Sequence, residues 1–329
     1  MWWLWVGFII LIGLLLALDL GVFHRQAHVV QVREALLWSG VWVGLALAFN
    51  LFIYFGYEYH WLGMDLPNAE PDGQTAAVAF FTGYVLEKSL SVDNIFIIAV
   101  IFGYFAVPPA YQHRLLFWGI LAALLMRGAM ILVGVALIQR FHWLLYGFGG
   151  ILIVTAVRML FSREKTNTRE NYLVRLARKL FPITDDFDGQ SFVVGRGGRR
   201  MLTPLALALV AVEGADLILA LDSIPAIFAV TEDPFLIFTS NVFAILGLRS
   251  LYFALAHLMD RLHYLNRSLA AILALIGAKM VLKDVLHSVP GVMYYTLAAI
   301  VLLLAAGVVA SLIWTKPDTK GPNTEGVRK

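Results

Sequence analysis

The chain has 329 residues, of which 60% are hydrophobic and 14% charged, where soluble domains carry about 25% charged residues. Lys and Arg number 25 against 22 Asp and Glu, a formal net charge of +3, and the sequence contains no cysteine. These figures exclude disorder, a collagen-like chain and an ordinary soluble enzyme, make nucleic acid an unsuitable partner, and remove disulfides, thiolate metal sites and thiol catalysis together.

Apolar runs of about 20 residues, enough to cross about 30 Å of hydrocarbon as a helix, recur along the chain. Bounded by charge or by Pro and Gly, they predict an all-α polytopic membrane protein with about nine transmembrane helices, at roughly 2–22, 35–56, 76–104, 112–138, 143–161, 202–230, 235–257, 266–285 and 292–314. The first run lacks a basic flank and a small-residue cleavage site and leads into Asp19, His24 and Arg25, so it reads as an uncleaved span.

Orientation follows from the basic residues, because Lys and Arg in short loops stay cytoplasmic. The loop with Arg25 and Arg33, the stretch 162–201, the loop with Arg261 and Arg267 and the tail 316–329 are basic. The intervening loops are acidic, with Glu58, Asp65, Glu70 and Asp72 in one and Glu232 and Asp233 in another. The N-terminus is therefore predicted outside and the C-terminus in the cytoplasm. The stretch 162–201 begins amphipathically (Leu173, Leu176, Leu180, Phe181) and then becomes rich in Gly and Arg, a small cytoplasmic element. Its Asp185, Asp186 and Asp188 lack the spacing of a calcium loop.

The third and sixth spans repeat one another. Glu87-Lys-Ser-Leu-Ser-Val-Asp93-Asn94-Ile is matched by Asp216-Leu-Ile-Leu-Ala-Leu-Asp222-Ser223-Ile, and Gly119 to Arg127 in the fourth span is matched by Asn241 to Arg249 in the seventh. Arg158-Met159 and Lys279-Met280 close the match in the fifth and eighth. Units with an odd number of spans enter the membrane from opposite sides, so the repeat is inverted, as in alternating-access transporters. The chain divides into two N-terminal spans with an acidic outer loop (1–75), the first repeat (76–161), the basic loop (162–201), the second repeat (202–286), and a last span with its tail (287–329).

Asp19, Glu87, Asp93, Glu213, Asp216 and Asp222 all fall within predicted spans, where a charged side chain costs about 2.5 to 3.5 kcal/mol on the mildest scale. Such acids must be protonated, paired, or gathered around a cation. Arg127 and Arg249, at matching repeat positions, are the candidate structural ion-pair partners. Asp216 and Asp222, six residues apart, sit about 240° apart on a regular helix, so their convergence requires a bend. Pro225 supplies a reason for one, and a kink there would free backbone carbonyls near Asp222. Glu87, Asp93, Asn94, Glu213, Asp216, Asp222 and Ser223 then form a candidate all-oxygen site suited to Mg, Ca or Mn rather than a soft metal. Asp19 is a possible accessory acid.

These strings resemble the TerC family and, within it, its Alx-type members. The resemblance is carried by Glu87 to Asn94, Glu213 with Asp216, Asp222-Ser-Ile-Pro-Ala-Ile-Phe-Ala-Val-Thr231 and Thr239 to Arg249, and extends to Leu18-Asp19-Leu20 and to Thr184 to Phe192. It implies a multi-pass protein of the bacterial inner membrane that exports manganese, with the acids at Glu87, Asp93, Glu213, Asp216 and Asp222 important for transport. The expectation is a non-enzymatic exporter with Mn(II) as transported substrate and no organic cofactor. Asp93 and Asp222 would form the core of a midplane site, and release on carboxylate protonation makes proton antiport the natural coupling. Two other readings stand beside it: a membrane partner protein that delivers metal to, or assembles with, exported proteins, and a proton or monovalent-cation pump. Besides the metal ion and the bilayer, a second copy of the chain or other membrane proteins are candidate partners.

Overall fold

The computed structural model describes residues 2–21, 32–64, 72–141, 143–161, 179, 182–184, 187–196, 199–255, 264–286 and 291–313. Among these the helices are α1 (Trp2–Gly21), α2 (Val32–Glu58), α3 (Gly73–Tyr104), α4 (Pro109–Arg140), α5 (Leu144–Phe161), α6 (Pro204–Phe228), α7 (Pro234–Leu246), α8 (Leu248–Leu255), α9 (Leu265–Val281), α10 (Lys283–Leu286) and α11 (Val292–Ile313). A helix therefore lies over each stretch predicted as a span. The start signals are local. Pro opens α4, α6 and α7, where its missing N–H costs nothing. Thr203 and Asp233 cap α6 and α7 by accepting from backbone N–H groups, and Asp72 does the same for α3.

By length and composition α2, α4, α5, α6 and α11 can each cross a membrane, and the pair α7 and α8 makes up to six such spans. That is fewer than the nine predicted. Helix α3 has the length, at 32 residues, but carries Glu87, Lys88 and Asp93; α9 has 17 residues. Large apolar side chains stand on the outer faces, with Leu125 71%, Val154 68% and Leu302 69% exposed. A surface so apolar is stable in lipid and not in water.

The interior consists of two apolar clusters. One joins Phe8, Phe49, Phe80, Phe235 and Phe243 from α1, α2, α3 and α7 and reaches Ala220 to Val230 and Ile272 to Met280. The other joins Ile95 to Phe102 on α3, Leu115 to Ile120 on α4, Leu205 to Val212 on α6, and Ile245 to Tyr252. Along α3 the first cluster precedes the second, whereas along α4 and α6 the order is reversed, so α3 runs opposite to both. Helix α3 packs on α6 and α7, α4 packs on the same two helices, and α5 packs on α9.

Contacts between helix ends fall into two sets. At one end Tyr57 Oη donates to Asp233 Oδ2 at 2.8 Å, Gly73 N donates to Glu58 at 3.1 Å, and Tyr146 Oη donates to Asp284 at 2.7 Å. At the other, Tyr252 Oη donates to Gln112 at 3.3 Å and Tyr264 N donates to Ser311 Oγ at 3.1 Å. Each pair unites helix ends that the charge pattern places on the same side.

Three local features differ from the sequence reading. First, α6 continues through Pro225 to Phe228. The proline sits in the last turn and leaves the Leu221 carbonyl without its intrahelical donor, but the helix is not interrupted beside Asp222. Second, the break falls in the seventh stretch, at Gly247, where α7 and α8 meet at 41°. Lys88 Nζ donates to Ala244 O at 3.2 Å there, a cation at a helix C-terminus, and a Cβ on Gly247 would lie 2.7 Å from that nitrogen. Third, the Gly- and Arg-rich end of the basic loop is an antiparallel hairpin, β1 (Val193–Arg196) with β2 (Arg199–Leu202), registered Val193 to Leu202 and Arg196 to Arg199. The amphipathic segment with Leu173, Leu176, Leu180 and Phe181, together with Asp185 and Asp186, lies outside the described residues.

Candidate cation site

A charged layer lies where the two apolar clusters meet. Glu87 and Asn94 on α3 fall between Leu86 and Ile95, Arg127 on α4 between Ile120 and Ile131, and Asp216 on α6 between Val212 and Ala220. Oppositely directed helices thus bring their polar positions to one level.

Arg127 is the hub. Buried to 2% exposure, it forms an ion pair through Nη1 with Glu87, itself 2% exposed. Nη2 donates to Asp216 Oδ1 at 3.0 Å and Nε to Asp216 Oδ2 at 3.4 Å, a fork on both carboxylate oxygens. Nη1 also donates to Asn241 Oδ1 at 3.4 Å, and Asn241 is fixed by donating through Nδ2 to Ile237 O at 3.1 Å. Asn94 Nδ2 donates to Asp216 Oδ1 at 3.1 Å. One guanidinium and the Asn94 amide therefore compensate a buried acid from α3 and a part-buried one from α6.

Beside this layer lies a cavity of about 30 Å³, walled by Asn94, Gly119, Glu213 and Asp216 among apolar side chains. Glu213 Oε1 is buried with no hydrogen-bond partner among the described residues. Gly119 lets α4 approach it, since a Cβ there would stand 3.3 Å from that oxygen. Among the described residues no three His, Asp or Glu side chains are grouped so as to hold a metal ion, because Glu87 and Asp216 are turned toward Arg127.

Asp222 lies elsewhere. It accepts from Thr155 Oγ1 of α5 at 3.1 Å and has Arg158 near enough to interact electrostatically. Ser223 is buried, its Oγ without a hydrogen-bond partner among the described residues. Arg249 is buried on α8. The side chains of Asp93 and Asp19 lie outside the described residues. The structure therefore brings together Glu87, Asn94, Arg127, Glu213 and Asp216, and gives Asp222 different partners. The sequence reading missed Asn241 and Thr155 as partners of the site; Lys88, weighed there as a partner of the acids, instead donates to Ala244 O. Thr155 carried a usable signal: it lies three residues before Arg158 on α5, on the same face of that helix.

A second cavity, of about 310 Å³, opens at the end of α6 between α5, α9 and α11. Lys279, Lys283, Glu232 and Thr231 provide its polar lining.

Residues 72–320 match the family model described as integral membrane protein TerC family. The chain belongs to the TerC family. It is 50% identical over 311 residues to the uncharacterized membrane protein STKORF319 of Myxococcus xanthus, covering 94% of this chain and 92% of that one. The Alx proteins of Escherichia coli (strain K12) and Salmonella typhi, each described as "Putative membrane-bound redox modulator Alx", are 44% identical over 286 residues, 86% of this chain and 87% of theirs. No solved structure matches the chain. It is an integral membrane protein with Alx homologues.

Proposed function

We propose that this TerC-family chain exports a divalent cation, Mn(II) first, from the cytoplasm to the periplasm across a bacterial inner membrane. The observation that carries the reading is the charged layer on α3, α4 and α6, with acids from both predicted repeats at one level between two apolar clusters. Buried intramembrane acids of this kind mark ion pathways.

The helix contacts support an inverted-repeat transporter. Exchanging α3, α4 and α5 for α6, α7 and α9 maps the contact of α3 with α7 onto that of α6 with α4 and leaves α3 with α6, α4 with α7 and α5 with α9 unchanged. A twofold relation between the two units would give that pattern, and for units of odd span number its axis would lie in the membrane plane.

The small cavity beside the layer offers oxygens from Asn94, Glu213 and Asp216, a hard donor set of the kind that suits Mg, Ca or Mn. Mn(II) is put first because the resemblance to the TerC family's Alx-type members implies manganese export. Release accompanied by carboxylate protonation makes proton antiport the coupling. With no cysteine in the sequence, a redox effect of the sort the Alx description names would act here through cellular manganese rather than through thiols.

The test is Mn(II) uptake into proteoliposomes by wild type and Glu213→Gln, with Mg(II), Ca(II) and Na(I) as competitors and with an imposed pH gradient. Saturable Mn(II) flux, reduced in the variant and little affected by Mg(II), is the expected result. No flux from folded protein would favour a delivery or assembly role. Flux of Na(I) or protons without Mn(II) would favour the monovalent pump, and Mn(II) flux indifferent to the pH gradient would remove antiport.

A further inference from the structure

The acid that a cargo ion needs most is already occupied by a cation belonging to the chain. Asp216 lines the small cavity, yet both its carboxylate oxygens face Arg127, at 3.0 Å and 3.4 Å. Glu213, on the same wall, has a buried oxygen with no hydrogen-bond partner among the described residues. The site is thus half assembled: Glu213 and the Asn94 amide stand ready, and Asp216 is taken.

We propose that Arg127 is the built-in counter-cation of the transport site, yielding Asp216 to the arriving divalent ion and retaking it when the ion leaves. This rests on the metal-export reading above and adds a competition to it. A metal ion and a guanidinium sharing one desolvated carboxylate repel strongly, since charges a few ångströms apart interact by several kcal/mol even at an effective dielectric of about 20. Arg127 cannot yield by losing its proton, because a guanidinium stays charged in proteins. It must move, and the structure provides where. Nη1 already contacts Glu87 and Asn241, which lie on α3 and α7 rather than on α6, so the head group can let go of Asp216 and keep a carboxylate and an amide oxygen. Glu87 remains paired throughout, and Asp216 exchanges one cation for another. Neither Glu87 nor Asp216 is left without a cation at any stage, the condition under which such acids are tolerated.

A competitor and a structural staple make opposite forecasts. If Arg127 competes with cargo, removing its charge tightens metal binding and slows release; if it only fixes helix packing, removal loosens the site. The experiment is a titration of free Mn(II) by electron paramagnetic resonance with the full chain in nanodiscs, using wild type, Arg127→Gln and Arg127→Lys, with flux measured in proteoliposomes from the same preparations. Arg127→Gln should bind Mn(II) about tenfold more tightly or better, a shift of one decade in Kd, while its flux at saturating Mn(II) falls. Arg127→Lys keeps the charge without the fork and should bind more tightly than wild type by a smaller factor. The lysine variant alone decides the matter if the glutamine variant does not fold. Folded variants that bind Mn(II) no more tightly than wild type overturn the proposal while leaving the export reading intact. A wild-type protein that binds no Mn(II) overturns both.

Discussion

Asp216 and Asp222 share α6 and differ in almost everything else. Asp216 meets a guanidinium fork, an asparagine amide and the wall of a cavity. Asp222 meets one threonine hydroxyl and the field of Arg158 on α5, with the exposed Leu221 beside it. Six residues of regular helix separate them by about 9 Å of rise and about 240° of rotation. Because α6 is one uninterrupted helix from Pro204 to Phe228, that rotation is not undone. Two acids that look equivalent in a linear motif therefore serve two places: a charged layer at the meeting of two apolar clusters, and a separate contact with α5 nearer the far end.

The contrast should show first in stability. Glu87→Gln leaves Arg127 buried with Asp216 as its remaining ionic partner, and losing a buried hydrogen bond between charged groups costs about 1.5 to 3 kcal/mol. Thermal unfolding in detergent should register that as a large fall in Tm, with a much smaller fall for Asp222→Asn. Equal losses would erase the distinction between the two acids. Next in size is the crossing that brings α5, and with it Thr155, into place. A Cβ on Gly277 would lie 2.8 Å from Gly149 O, so Gly277→Val forces α9 away from α5 and should cost about 1 to 3 kcal/mol, as overpacking does. Its effect on transport should resemble that of Asp222 variants and not that of Asp216 variants. Smallest is Thr155→Val, which removes one hydroxyl from Asp222 and should cost about 0.5 to 1.5 kcal/mol. A loss of stability from Thr155→Val as large as that from Glu87→Gln would place Asp222, and not Arg127, at the structural centre.

The positions of the helices were legible because apolar runs and Pro, Thr or Asp starts mark them directly, as at Thr203-Pro204 and Asp233-Pro234. Helix breaks were less so. Pro225 has the residue type of a breaker, but it lies in a final turn where little hydrogen bonding remains to lose. Gly247 sits inside an apolar run, and its break depends on Lys88 arriving from another helix, a contact between residues 159 positions apart that no local pattern encodes. The hairpin Val193–Arg196 with Arg199–Leu202 reads as loop because Gly and Arg mask its short Val and Met-Leu ends. In the site, the acids and Arg127 stood out as charges among apolar residues. Their sorting did not, since Asn241 and Thr155 are ordinary helix residues until tertiary packing aims them at Arg127 and Asp222.

The most direct test sets the two aspartates against each other. Mn(II) binding to the full chain, measured for wild type, Asp216→Asn and Asp222→Asn in parallel, should show tight binding lost in Asp216→Asn and retained in Asp222→Asn. Tight binding that survives in Asp216→Asn and vanishes in Asp222→Asn would contradict the placement of the cation in the layer of Glu213, Asp216 and Arg127.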